Sequence, residues 1–213
     1  MEEETERLLG LIQSQGAEKL REFLQLESSL EQWEDLGVQN EVASYRLHSP
    51  ETGHAVLKGV GDIPESPETI LALITDMSRK GEWDERFVEG RVVASLSERD
   101  RLSYQCFSAP SPISQQDFVY LALFRLLEDG SFVTLGFSVQ SSLVPEVPGV
   151  VRGHIYLTGF LFRRLGPKLT RLTQVVHLDS KDSIPTNVSN QSEKEQTQSI
   201  SCLRNCLAKK GSD

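Results

Sequence analysis

The 213-residue sequence has few cysteines and no long apolar run. Its three cysteines, Cys106, Cys202 and Cys206, are too few and too scattered for a disulfide framework, which predicts a reducing compartment. No stretch reaches the roughly 18 apolar residues of a membrane-spanning helix. The first residues, MEEETER, do not resemble a signal peptide. We therefore expect a cytoplasmic protein.

Positive charge is also scarce. The chain has 22 lysines and arginines against 31 aspartates and glutamates, so its net charge is -9. An acidic surface repels the phosphates of nucleic acids and the head groups of anionic membranes. We predict no nucleic-acid partner, and only transient contact with membranes.

Motifs for catalysis and metal binding are missing as well. The sequence has no G-x-S-x-G elbow, no P-loop and no G-x-G-x-x-G. Its four histidines and three cysteines show no zinc-type spacing. We predict no catalytic residues, no metal and no cofactor.

Apolar residues recur at helical spacing near both ends of the chain. Residues 1–32 are predicted to form an N-terminal helix, which Gly16 could break into two pieces. Residues 185–210 are predicted to form a weaker amphipathic helix, because Ser, Asn and Gln are frequent there. A further helix is expected after SPET, where Ser66 is a candidate N-cap and Pro67 takes the first helical position.

The remaining segments have the composition of β-strands separated by turns. The predicted strands are 41–48, 54–63, 87–96, 101–108, 117–127, 131–141, 150–163 and 169–179. The order of helix, strands, helix, strands and helix predicts an α+β fold, and the length fits a single domain over residues 1–213.

Several of these strands are apolar on both faces. In one of them, Phe118 and Tyr120 lie on one face and Val119 on the other. Such a sheet must be covered on both sides, and three helices give little cover. Either the sheet curves around a cavity, which small residues such as Gly136 and Thr158 would suit, or it belongs to a sandwich or filled barrel. Periodicity alone leaves both alternatives open.

Motifs along the chain add a resemblance to a known family. They are YRLHSPETGHAVLKGVGDI at 45–63, WD at 83–84, SPISQQDFV at 111–119, PEVPGVVRG at 145–153 and LTQVVHLDSKDSIP at 172–185. Each motif alone is weak. Together, in unbroken order over about residues 33–185, they resemble the START domains, the StAR-related lipid-transfer modules.

The resemblance implies a helix-grip fold, in which a curved antiparallel β-sheet wraps around a C-terminal helix. Residues 185–210 would be that helix and act as a lid, and one lipid would occupy an internal hydrophobic tunnel. We therefore predict a noncatalytic lipid-binding or lipid-transfer module and no enzyme. Its ligand would be a phospholipid, a sterol or a fatty-acyl compound. The alternative is a regulatory or interaction module of a larger multidomain protein, with a weak or vestigial pocket.

Head-group sites of the family are matched only in part. Sterol carriers place a buried acid–arginine pair where this chain has Ser103 or Gln105 and Ala122, which argues against a sterol site of that type. Phosphatidylcholine carriers place a basic residue just before WD, where this chain has Arg79 and Lys80.

The predicted ligand-binding residues combine basic, aromatic and apolar side chains. They are Arg79, Lys80, Trp83, Tyr104, Cys106, Phe118, Tyr120, Phe137, Arg152, His154, Tyr156, Val188 and Leu203. The alternative for Arg79 and Lys80 is a solvated helix end, where cations also favour the helix dipole. Tyr104 and Cys106 could instead pack in the core. Arg152, on an otherwise apolar strand, could instead pair with an aspartate.

Overall fold

One ten-stranded β-sheet organises the chain. The structure is a computed structural model that describes residues 2–29, 31–108, 115–181 and 196–210. The strands are β1 Glu34–Gln39, β2 Val42–His48, β3 Ala55–Ile63, β4 Phe87–Ser95, β5 Asp100–Ser108, β6 Gln115–Leu126, β7 Phe132–Ser138, β8 Val151–Arg152, β9 His154–Gly166 and β10 Leu169–Asp179. Neighbouring strands follow the order β1-β2-β3-β10-β9-β7-β6-β5-β4, and all of these pairs are antiparallel. The short β8 pairs with β6 in parallel.

The helices lie on both faces of the sheet. They are α1 Glu2–Ser28, α2 Pro67–Thr75, a 3-10 helix Met77–Glu82 and α3 Ser199–Lys210. All eight predicted strands are present within a few residues of their predicted bounds, and the α+β class is confirmed. The prediction missed β1, because its sequence EDLGVQ is polar and five of its six residues are exposed at the sheet edge.

The terminal helices differ from their predictions in one respect each. Gly16 does not break α1, which is continuous, because this glycine is buried and lets the helix approach Leu123 on β6. The predicted helix 185–210 is observed as α3 over Ser199–Lys210, while 182–195 lie outside the described residues. The N-cap prediction is confirmed, since the Thr69 amide donates to the Ser66 hydroxyl at 3.2 Å.

Two apolar clusters pack on either side of the sheet. The outer cluster packs α1 against one face; its members include Leu8, Ile12, Phe23, Leu102, Tyr104, Cys106, Val119, Leu121, Phe137, Leu157 and Val175. The inner cluster packs α2 and α3 against the other face; its members include Val42, Ile63, Ile70, Leu73, Trp83, Phe132, Phe162, Leu172, Ile200 and Leu203. Strands that are apolar on both faces therefore meet helices on both faces.

Two glycines of β3 let α3 lie directly on the sheet. A Cβ at Gly59 would approach the Thr197 carbonyl oxygen to 3.0 Å, and one at Gly61 would approach Ile200 Cγ2 to 3.0 Å. The Arg204 side chain then donates to the Asp62 carbonyl at 2.9 Å. This close approach fixes α3 at the β3 side of the inner face.

A buried lysine joins the end of α1 to the sheet. Lys58 on β3 is 1% exposed. Its Nζ donates to the carbonyls of Leu26 at 2.9 Å, Ser29 at 2.8 Å and Glu27 at 3.3 Å, and it lies 4.2 Å from the centre of the Trp33 ring. These carbonyls would otherwise be unsatisfied at the helix C-terminus, so the ammonium caps α1.

This lysine predicts a pH dependence of stability. Burial lowers the pKa of Lys58 from 10.5 to about 8. Because the unfolded chain keeps the higher pKa, it binds more protons between these values, and the free energy of unfolding rises with pH there. Relative to Lys58→Met, we expect the wild type to gain up to about 3 kcal/mol between pH 8 and 10.5, at about 1.4 kcal/mol per pKa unit.

Urea unfolding of both proteins from pH 7.5 to 10.5 measures this gain. Titrations common to the two proteins, such as those of tyrosines, cancel in the difference. A difference that stays constant over this range would contradict the assignment.

Candidate functional site

A cavity of about 280 Å³ lies on the inner face of the sheet, beside the start of α3. Its roof is formed by the end of α2, the 3-10 helix and the start of α3, which contribute Ile74, Met77, Lys80, Trp83 and Ser199. Its floor is formed by strands β5, β6, β7, β9 and β10.

A row of small residues on adjacent strands forms part of the cavity floor, and the Tyr120 ring lies close to its glycine. Ala122 on β6 pairs with Gly136 on β7, and Gly136 pairs with Thr158 on β9. All three line the cavity. At either end of this row stand larger residues, Arg101 on β5 opposite Ala122 and Val176 on β10 opposite Thr158. The floor is therefore lower along this row than at Arg101 and Val176. A guest can lie there, where larger core side chains would otherwise pack.

Aromatic rings form the two ends of the cavity. At one end the Phe107 and Phe118 rings meet edge to face with centroids 6.0 Å apart. At the other end Phe124 lies 5.4 Å from Phe132, which stacks on Phe162 at 4.7 Å. The inner cluster closes the cavity behind these rings.

A small polar group interrupts the apolar wall. Gln105 Nε2 donates to the Tyr120 hydroxyl at 2.6 Å and approaches Met77 Sδ at 3.2 Å. Burial raises the pKa of Tyr120, so this phenol stays neutral and keeps its proton. Among the described residues, the buried Trp83 Nε1 and Gln174 Oε1 atoms have no hydrogen-bond partner, although both residues line the cavity. They offer one donor and one acceptor to a guest.

The WD motif stands at the aromatic end formed by Phe107. Lys80 Nζ lies 4.0 Å from the centre of the Trp83 ring, 5.6 Å from that of Phe107 and 3.6 Å from Asp84 Oδ2. Burial lowers the pKa of Lys80, and Asp84 opposes this effect. The charge of Lys80 is thus already matched by a carboxylate.

Four of the predicted ligand-binding residues line the cavity together: Lys80, Trp83, Phe118 and Tyr120. The Trp83 ring is 6% exposed and packs inward, beside Lys80. Arg79, by contrast, belongs to the 3-10 helix and pairs with Glu82 at 3.1 Å.

Other predicted residues lie elsewhere in the fold. Tyr104, Cys106 and Phe137 belong to the outer cluster, against α1. Arg152 forms a two-point ion pair with Asp117, at 2.6 Å from Nε and 3.0 Å from Nη2. In the structure, therefore, Arg152 pairs with an aspartate, which was the alternative to a ligand-binding role.

The last predicted residues fall into three places. His154 and Tyr156 form a ring cluster with His177, with centroids 4.8 and 4.6 Å apart. Leu203 is fully buried in the inner cluster on α3. Val188 lies outside the described residues.

Sequence reasoning missed part of the wall. The missed residues include Gln105, Phe107, Phe124, Phe160, Gln174 and the arginines Arg86, Arg99 and Arg101. The signal for the β5 residues is the pairing register between strands. Phe118 on β6 pairs with Gln105 on β5, so these two side chains lie on the same face of the sheet, the face that lines the cavity. Tyr104 pairs with Val119 and shares the opposite face.

The ranges that the structure describes contain neither a candidate metal site nor a membrane-spanning helix. Within them, no group of three His, Cys, Asp or Glu side chains is placed to hold a metal ion. Nor is any helix in these ranges both long and apolar enough to cross a bilayer.

The architecture of this chain is similar to that of a solved structure. The solved structure of human StAR-related lipid transfer protein 5 superposes with a TM-score of 0.87 over 94% of this chain and 98% of that chain, at 22% identity. This likeness confirms the helix-grip fold.

Sequence comparison gives partial matches. Human START domain-containing protein 10 is 27% identical over 131 residues, which are 62% of this chain and 44% of that protein. The F-box/WD repeat-containing protein A-like protein of Dictyostelium discoideum is 25% identical over 154 residues, which are 72% of this chain and 13% of that protein. The chain thus spans less than half the length of these two relatives. The START domain family model matches residues 13–200, and the chain therefore belongs to the START domain family.

Proposed function

We propose that this chain is a noncatalytic lipid-binding or lipid-transfer module that takes one lipid into the cavity. The observation that carries the proposal is the row of small residues, Ala122, Gly136 and Thr158, beneath a roof of apolar and aromatic side chains. Moving an acyl chain from water into such a space gains about 0.8 kcal/mol per buried methylene. Membership of the START family and the likeness to a lipid transfer protein support the same function.

The chemistry of the wall supports binding over catalysis. Among the described lining residues there is no histidine and no cysteine, and the one carboxylate, Asp84, is paired with Lys80. Nucleophilic catalysis needs a nucleophile with a base in hydrogen-bonding reach. The Gln105–Tyr120 hydrogen bond instead joins two neutral groups that suit the recognition of a polar head.

The setting of the module is part of the proposal. We expect it to act in the cytoplasm and to touch membranes only transiently, when lipid enters or leaves. The curated relatives are longer than the matched region, which supports a place within a larger multidomain protein.

Filling the cavity tests this function directly. Ala122→Phe places a ring at the start of the small-residue row, so we expect lipid to be lost from the protein while the fold persists. The protein is purified without detergent, and the extracted lipid is identified and counted by mass spectrometry. The wild type should carry a stoichiometric lipid and Ala122→Phe should carry almost none.

Leu126→Phe is the matched control, because it adds a ring to the same strand at a side chain that is 60% exposed. It should retain the lipid. A wild type without bound lipid, which also takes up none from vesicles, would favour an interaction module and contradict the proposal. Release of acid from ester or thioester substrates would contradict the noncatalytic part.

A further inference from the structure

The cavity wall carries positive charge in an acidic protein. Lys80, Arg86, Arg99 and Arg101 line the cavity, and Asp84 is the one acidic lining residue among those described, so the wall holds four cations and one anion. The chain as a whole has a net charge of -9. Cations concentrated in a cleft with apolar walls raise the local concentration of anionic ligands.

Three of these cations lack the partners that most other arginines have. Arginines that form ion pairs with carboxylates include Arg7, Arg79, Arg125, Arg152, Arg163, Arg164, Arg171 and Arg204. Across the described ranges, the guanidinium groups of Arg86, Arg99 and Arg101 have neither an ion pair nor a hydrogen bond. Arg101 is also half-buried, where an unmatched charge is costly. A bound anion would remove that cost.

The cations stand at two opposite ends of the cavity. Arg101 faces it from the start of β5, and Arg99 lies beside Phe124, whose amide donates to the Arg99 carbonyl at 2.9 Å. Phe107, near Lys80, is six residues further along β5, or about 20 Å at about 3.3 Å per residue. Asp84 pairs with Lys80 and leaves Arg86 as the unpaired lining cation of that end, whereas Arg99 and Arg101 at the other end have no carboxylate among the described lining residues.

The size and shape of the cavity limit the ligand further. At about 280 Å³ it is just below the roughly 300–1,000 Å³ range of small-molecule pockets. The small-residue row begins at Ala122, directly opposite Arg101. An apolar chain can therefore run along the row from a head group at Arg101.

From these observations, and resting on the proposed lipid-binding function, we propose that the ligand is a single-chain amphiphile with an anionic head group. Its carboxylate or phosphate binds Arg101, with Arg99 at the mouth, and its chain lies over Ala122, Gly136 and Thr158. The head-group site is thus at the opposite end of the cavity from Lys80.

Equilibrium dialysis with labelled ligands below their micellar concentrations tests the assignment. Hexadecanoate and hexadecyl phosphate provide the two anionic heads, and hexadecan-1-ol provides the neutral one on the same chain. We expect the wild type to prefer an anionic ligand over the alcohol. Arg101→Gln should weaken anion binding about 10- to 100-fold, the usual effect of losing a hydrogen bond to a charged group, and leave alcohol binding unchanged.

The controls separate charge at the site from charge in general. Arg21→Gln makes the same change at an exposed position on α1 and should alter neither affinity, while Arg101→Lys should keep part of the preference for anions. Whichever of the two anionic ligands binds more tightly identifies the head-group chemistry. The comparison of anion with alcohol on the wild type does not depend on any variant folding.

Two results would overturn the inference. If the wild type binds the alcohol as tightly as both anions, or if Arg101→Gln weakens all three ligands equally, lipid binding stands and the anionic site is wrong. If the wild type binds none of the three and carries no lipid from the cell, the proposed function fails and the inference fails with it.

Discussion

Gly159→Ala is expected to destabilise the protein by about 3 kcal/mol or more, at the upper end for overpacking in a core. Gly159 lies in the middle of β9, opposite Leu135 of β7 and Val175 of β10. A Cβ at this position would overlap the carbonyl oxygen of Thr134 and crowd the Phe23 ring at 3.1 Å. A backbone atom between two paired strands cannot move aside without breaking the ladder, so the strain must spread through the centre of the sheet.

Thermal and urea unfolding measure this loss. For a chain of about this size, 3 kcal/mol corresponds to a fall in Tm of roughly 6–12 °C. Gly10→Ala is the matched control: Gly10 is exposed on α1, and a methyl group there would have no neighbour within 4 Å. That change should stabilise the helix by about 0.5–1 kcal/mol. A Gly159→Ala protein within 1 kcal/mol of the wild type would show that β9 can shift, which the packing argues against.

Asp117→Asn is expected to cost about 3 kcal/mol, the lower end of the range for a buried pair, because it leaves a half-buried guanidinium without its anion. Asp117 is 1% exposed and accepts two hydrogen bonds from Arg152. Arg152 also reaches the carbonyls of Val144 and Pro145 at 3.4 and 3.3 Å, so the pair holds the segment before β8 against β6. Loss of the anion should loosen this segment as well as lower global stability.

An exposed pair with nearly the same geometry provides the control. Arg171 donates to Asp62 from Nε at 2.8 Å and from Nη2 at 3.0 Å, but both side chains are largely exposed. Asp62→Asn should therefore cost only about 0–1 kcal/mol. In the double variant Asp117→Leu with Arg152→Met, much of the stability should return, because no charge is left buried. Equal losses for Asp117→Asn and Asp62→Asn would contradict the role given to burial.

The sequence predicted the strands well because their composition and turns are local properties. All eight predicted strands exist, and the Ser66 cap with Pro67 begins α2 as expected. β1 escaped prediction because an edge strand has little to bury. Gly16 misled because a glycine within a helix reads as a break, whereas here it serves a close contact with β6.

The candidate site was predictable on β6 and not on β5. Phe118 and Tyr120 were singled out on one strand, and they line the cavity. Tyr104 and Cys106 were singled out on the next strand, and they belong to the outer cluster. On β5 the apolar Tyr104 and Cys106 alternate with the polar Ser103 and Gln105, and alternation alone does not indicate which of these two faces continues the Phe118 face. The register Phe118↔Gln105 settles it.

By itself, then, the sequence determined the α+β class, the positions of the strands and the resemblance to the START domain family, because composition, turn residues and the order of motifs can be read from the sequence alone. Only the tertiary structure decided which side of the sheet is hollow, that Arg152 is matched by Asp117, and that Arg101 faces the cavity without an anion among the described residues. A period of two distinguishes the faces of a strand but does not say what each face meets, and that depends on pairing between distant segments.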